Sequence, residues 1–399
     1  MTNREPARSM RFASALAMPP EADALAQSLL QPLEGGPVDL VLLFLAGLDL
    51  DAGLALTERL RQALQPRVFL ACTAEGVIGA ETEVEEQPAA SAIAARLPGV
   101  ELIPFDVTPA QWPHVLDDPA EFGRAFNFPP DSRLVFFLAD PFTTPIDAVL
   151  AAFNQRRPGL PLAGGLASGA PRPGYNLVIR DERVLNGGAV GVALAGAVDV
   201  DIVVSQGCRP VGPAFVVTAA ENNLIYSLAH ESPVAQIQNL YADLTAEEQQ
   251  LLQNGLFIGR ALPAEADAEE DLGRGDFLVR GVLGVERQTG ALAVGDQVAA
   301  GETIQFHVRD AATAQEDLEL LLTPHTFGEP PAGAVLFSCN GRGTRLFDHP
   351  NGDISVITAA LGVRPLAGFF CAGELGPVRG HNCLHGQTAS LVLLRPRSA

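Results

Sequence analysis

The sequence predicts an α+β protein in two domains, with mixed β-sheets covered by helices and built from repeated strand-helix-strand units that end in glycine-rich loops. Three observations lead there. One pattern recurs three times, its strands are apolar throughout rather than alternating, and the stretch between the second and third copies reads as antiparallel strands joined by glycine turns.

The first copy opens with the apolar strand "VDLVLLFLAG" (38–47), continues through the amphipathic helix "LALTERLRQAL", and closes with "RVFLACTAEGVIGAE". The second runs "SRLVFFLADPF", "PIDAVLAAFNQRRPG", "LPLAGGLASGA". The third runs "GAVLFSCNGRG", "DISVITAALG", "RPLAGFFCAGELGP". Continuous apolar strands imply a sheet covered on both faces, and two strands joined by a helix imply a parallel pair with a right-handed crossover. Small residues at the end of each second strand let the chain turn tightly and bring backbone N–H groups close to a ligand. In open sheets of this kind, ligands sit at strand C-terminal ends.

Between copies two and three, "VLNGGAVGVALAG" (184–196), "VDIVVSQGC", "AFVVTAAENNLIYSL" and "DFLVRGVLGVERQTGALAVGDQVAAGETIQFHVRD" read as antiparallel strands, with Gln288-Thr289-Gly290 as the clearest turn. A helix begins at "TAEEQQLLQNG", where Thr245 and Glu248 have capping-box spacing. The acidic run 264–276 reads as a solvated loop. These signals place a domain boundary near residue 230, giving domains 1–230 and 231–399.

Composition narrows the functions. With 26 basic and 47 acidic residues the net charge is −21, which repels a phosphate backbone and excludes nucleic acid as a partner. Every basic residue is arginine. The absence of lysine removes Schiff-base chemistry, pyridoxal phosphate attachment, the Walker lysine and the kinase strand lysine. No stretch has the pattern of a signal peptide, and the longest apolar run, Leu40 to Leu48, falls far short of the ~20 residues of a membrane span. The expectation is a cytoplasmic protein without membrane insertion, its five cysteines kept as thiols by a reducing compartment.

The phrases "DFLVRGVLGVERQTGALAVGDQVAAGETIQFHVRD", "VLFSCNGRGTRLF", "PLAGFFCAGELGPV" and "LHGQTASLVLL" resemble the C-terminal domain of the FIST family of signal transduction proteins. "CTAEGVIG", "PLAGGLASG" and "VLNGGAVGVALAG" are similar to its N-terminal domain, so the resemblance covers nearly the whole chain. It implies a sensory protein that binds a small ligand, an amino acid among the candidates, and passes the signal on. The sequence carries no F-box, kinase or cyclase motif, so the output goes to a separate signalling protein in trans. Some relatives resemble haem-based nitric oxide sensors, which makes haem the alternative cofactor to none.

The chemistry concentrates in "SCNGRG" and in "GFFCAGELGPVRGHNCLHG" (368–386). Arg342, between two glycines, can offer its planar fork to a carboxylate, and Glu374 at the next strand end can receive an ammonium group, which suits the two charged ends of an amino acid. Asn340, Cys371 and His385 are candidate wall residues, with Asn186 and Cys72-Thr73 as further lining. The competing reading of Arg342 is a salt bridge to Asp348 or Asp353. A thiol enzyme using Cys339 or Cys371 is the alternative from another class, because N–H groups and the Arg342 charge near Cys339 would lower its pKa. For metal, His381, Cys383 and His385 alternate, but in an extended strand the two histidines lie roughly 14 Å apart, and zinc bonds of about 2 Å close that span only with a sharp bend, which leaves His381 with Cys383, joined by Cys371, as the metal alternative. For haem, His385 is the first axial candidate, ahead of His230 and His307.

Overall fold

A computed structural model describes residues 9–34, 36–262 and 276–397; apart from Asp276, the acidic run 264–276 lies outside the described residues. The α+β class with mixed sheets is the observed one. The chain forms two compact units, one of residues 1–204, 318–384 and 388–399, the other of 205–317 with 385–387. These units cut across the linear division near residue 230, because the third strand-helix-strand segment joins the first two in the larger unit.

In the larger unit each segment contributes a parallel pair. Leu40–Ala46 pairs with Val68–Ala74, Ser132–Ala139 with Leu162–Leu166, and Gly333–Cys339 with Leu366–Cys371. The intervening helices are Leu50–Leu64, Ile146–Arg156 and Gly352–Leu361. An antiparallel strand flanks each pair, respectively Ala89–Arg96, Ala189–Gly196 and Thr388–Pro396. The result is three six-stranded sheets, and all three are mixed.

The hairpin that follows each segment leaves its own sheet. Gly76–Ile78 and Glu83–Glu85, after the first segment, complete the third sheet. Val178–Arg180 and Arg183–Leu185, after the second, complete the first sheet, while Glu374–Val378 and His381–His385, after the third, complete the second. The exchange is cyclic.

The inner faces of the sheets share one apolar cluster, and the outer faces pack under helices in three further clusters. Hence both faces of Leu40–Ala46 and Gly333–Cys339 are buried at every residue, which is why the strands are apolar throughout. Phe44 stacks on Phe369 at 4.8 Å between ring centroids, and Phe337 meets Phe369 edge-on at 5.8 Å. Burying each such ring contributes about 1.5–3 kcal/mol. The strand "LAGGL" needs its glycines: a Cβ on Gly164 would fall on the Phe137 carbonyl and one on Gly165 on the Cys371 sulfur.

The smaller unit is a closed barrel in the order Cys208–Glu221, Leu224–Leu228, Leu292–Val294, Phe277–Val285, Leu256–Ala261, Thr303–Arg309. Ile258, Ile304, Phe306 and Val308 fill its core. Helix Ala246–Asn254 begins on the Thr245–Glu248 capping box read from sequence. His307 is buried edge-on against Phe277 at 5.2 Å, its Nδ1 3.0 Å from the Gln305 carbonyl. Burial pushes its pKa down to about 4.

Candidate functional site

Strand ends of all three segments meet at one place in the larger unit, stitched by hydrogen bonds. Asn340 N donates to the Cys371 carbonyl at 2.9 Å, and Leu166 and Ala372 exchange bonds with Gly373 and Leu166, both at 2.9 Å. Ser168 N donates to the Thr73 carbonyl at 3.2 Å, Glu75 N donates to Ser168 Oγ at 2.9 Å, and Ser168 Oγ donates to the Phe370 carbonyl.

Against these ends lies a buried charged cluster. Arg342 donates from Nε to Asp353 Oδ2 at 2.9 Å and from Nη2 to Oδ1 at 2.5 Å, with both side chains out of solvent. Of the two salt-bridge partners weighed from the sequence, Asp353 is the one engaged. Ser338 Oγ donates to Asp353 Oδ2 at 2.7 Å, so the carboxylate has two sources of compensation in a place where an unpaired charge would be very costly. Gly343, next in the chain, has φ +55°, and a Cβ there would strike the Glu85 carboxylate.

A second carboxyl enters from the first segment's exchanged hairpin. Glu83 accepts from the N–H groups of Gly352 at 3.1 Å and Ile354 at 2.9 Å, at the positive N-terminal end of helix Gly352–Leu361. Burial and the neighbouring Asp353 charge nevertheless push its pKa up. Glu85, two residues on, accepts from Thr344 N at 2.9 Å.

Glu374 is fully buried. Its Oε2 accepts from Thr388 Oγ1 at 2.8 Å and Thr388 N at 3.4 Å, and the Cys339 side chain adds a further hydrogen bond to the carboxyl. Burial outweighs the Thr388 and Cys339 bonds and pushes the carboxyl up to about 8. Burial likewise raises the Cys371 thiol well above its ordinary value, with the Glu374 charge adding to it. A protonated, buried Cys371 is a poor nucleophile. Cys339 lies beside it as its direct strand partner and accepts from Gly341 N at 3.4 Å.

On the more exposed rim, Asn340 Nδ2 donates to Glu75 Oε2 at 3.2 Å. Arg345 forms an ion pair with Glu75 and donates to the Asn340 carbonyl at 2.7 Å. The fold thus gathers Arg342, Glu374, Asn340 and Cys371 in one unit, and His385 ends the strand His381–His385 that pairs with Glu374–Val378. Thr73 bonds instead to Leu177 N at 3.0 Å, in a neighbouring network with Asn176 and Asp140. Gly188, two residues after Asn186, joins Thr143 there. Among the described residues no three His, Cys, Asp or Glu side chains are grouped to hold a metal ion.

Sequence reasoning missed Glu75 and Glu83. Glu75 carried a usable signal: Cys72 and Glu75 repeat the spacing of Cys371 and Glu374, and Ser168 occupies the corresponding place in "GLAS". Glu83 carried none, since its partners lie about 270 residues on in the chain.

Mixed sheets with a buried acid–arginine cluster at converging strand ends define the class, a globular α+β module. Residues 39–231 match the FIST N domain and 238–377 the FIST C domain, and the chain belongs to the FIST family, whose domains are associated with signal-transduction sensors. It is 37% identical over 366 residues to the uncharacterized protein MT0656 of Mycobacterium tuberculosis, covering 91% of this chain and 93% of that protein. It is also 37% identical over 335 residues to the uncharacterized protein Mb0898c of Mycobacterium bovis, covering 83% and 84%. No described helix is long and apolar enough to cross a membrane.

Proposed function

We propose that the converging strand ends of the larger unit bind a small polar ligand, an amino acid or other small carboxylate, and that occupancy is signalled to a separate protein. The observation that carries this reading is Glu374: a fully buried carboxyl whose hydrogen bonds, from Thr388 and Cys339, do not offset its burial. Strongly shifted carboxyls concentrate at functional sites. Protonated Glu374 donates one hydrogen bond to the ligand's carboxylate. The fork of Arg342 is engaged by Asp353, so Arg342 acts from behind as a fixed cation that holds the cluster together. Cys371 forms an apolar wall and Asn340, with Glu75 and Arg345, the polar rim. His385, at the end of the strand beside Glu374–Val378, is a further wall residue. We place the protein in the cytoplasm, whose reducing conditions keep its cysteines as the buried thiols described.

The test is a thermal-shift screen against the proteinogenic amino acids and small carboxylates. A ligand at 100 times its Kd stabilises the fold by about 2.7 kcal/mol. We expect at least one to raise the melting temperature of the wild type and to lose that effect in Glu374→Ala. A screen without a shift, or a shift undiminished in that variant, overturns the proposal.

A further inference from the structure

Away from the strand ends, a cavity of about 400 Å3 opens between the second and third sheets. Arg133, at the start of Ser132–Ala139, lines it together with Val198, Asp199, Val200 and Asp201 of strand Val198–Gln206 and Arg395 of Thr388–Pro396. The volume lies in the range of small-molecule sites.

Its lining carries two arginines and two aspartates, but their pairing leaves one arginine out. Arg395 forms an ion pair with Asp201 and donates from Nε to the Glu329 carbonyl at 2.8 Å. Asp201 also has His325 Nδ1 at 3.6 Å, and Asp199 has Arg397 Nε at 3.9 Å. Each aspartate therefore has a cation of its own, and Arg133 is left over. Among the described residues Arg133 makes no ion pair or hydrogen bond, and its buried Nε is without a partner. In a chain of net charge −21, where carboxylates outnumber arginines, a part-buried arginine facing a cavity with no counterion is the group a ligand anion would complete.

The aspartates set the ligand's class. Two carboxylates in the wall disfavour a dianion such as phosphate, while Asp199, whose contact with Arg397 is long and whose side chain is 57% exposed, can accept from an ammonium or hydroxyl group. We propose that this cavity is a second ligand site, for a small monocarboxylate that carries an amino or hydroxyl group, with Arg133 on the carboxylate and Asp199 on the donor.

Calorimetric titration of the whole chain with glycine, glycolate, acetate and inorganic phosphate tests this. Glycine or glycolate should bind, acetate at least about tenfold more weakly for want of the Asp199 contact, and phosphate not measurably. Arg133→Gln should lower affinity at least about tenfold, and Arg133→Lys, which keeps the charge and guards against misfolding, should also weaken it by losing the fork. Asp199→Ala should bring glycine and glycolate down to the affinity of acetate, a readout the strand-end site does not share. Binding that survives both Arg133 variants, glycine or glycolate affinity undiminished in Asp199→Ala, phosphate binding more tightly than either carboxylate, or no binding of glycine and glycolate overturns the assignment.

Discussion

Replacing Glu374 by glutamine removes a titration while keeping an oxygen for Thr388 to donate to. In the wild type the carboxyl has a folded pKa of about 8 against an ordinary value of 4.5, because burial disfavours its charge. The folded state therefore holds a proton that the unfolded chain releases between those two values. Stability from this group is fully present below pH 4.5 and is lost as pH rises to about 8. Each pH unit is worth about 1.4 kcal/mol, so the interval of 3.5 units amounts to about 5 kcal/mol. Glutamine is neutral throughout and escapes the loss. Urea unfolding of both proteins from pH 4 to 9 should give a stability difference that moves in favour of Glu374→Gln by about 1.4 kcal/mol per unit and levels off above pH 8. Taking the difference cancels Glu83, whose raised pKa gives the wild type a slope of the same sign. A difference that stays flat from pH 5 to 8 would show that Glu374 ionises in the fold as it does in water, and the argument from its burial would fail.

Asp353→Ala strands the fully buried Arg342 without its counterion, and we expect a loss of about 3–5 kcal/mol in urea unfolding at pH 7; a loss below about 1 kcal/mol would show that the pair is solvated. In the barrel, the folded pKa of His307 is depressed to about 4, so the unfolded chain binds the extra proton and stability falls as pH drops from 6.5 to 4. The fall should be about 3 kcal/mol for this group, read by amide exchange across Thr303–Arg309, and His307→Gln should abolish it.

The parts legible in the sequence are those whose signal is local. Strands buried on both faces must be apolar at every position, so Leu40–Ala46, Ser132–Ala139 and Gly333–Cys339 announce themselves, and their helices follow from amphipathic spacing. The capping box at Thr245 and the turn at Gly290, with φ +75°, depend on residues within a few positions. The charged cluster was half legible. Asp353 stands 11 residues from Arg342 and could be named as one of two partners, whereas Glu83 reaches the cluster through the three-residue strand Glu83–Glu85, too short to carry a period. Burial was the least legible property of all. Nothing in "CAGELGP" distinguishes a glutamate poised to receive an ammonium from one held neutral, because that depends on Thr388 and the packed strand ends around it.

The cyclic exchange of hairpins has a consequence for ancestry and modularity. A segment that lends its hairpin to one neighbour and borrows another's cannot be lifted out as a self-sufficient piece, for Val77, Ile78 and Val84, all buried in the third sheet, would lose the surface that hides them. The two family modules are thus consecutive as text but interlaced as objects, like strands of a braid whose crossings lie far apart along the thread. Selection acting on the chain has to keep all three segments in step, and recombination at the module junction would separate sequences that the sheets hold together.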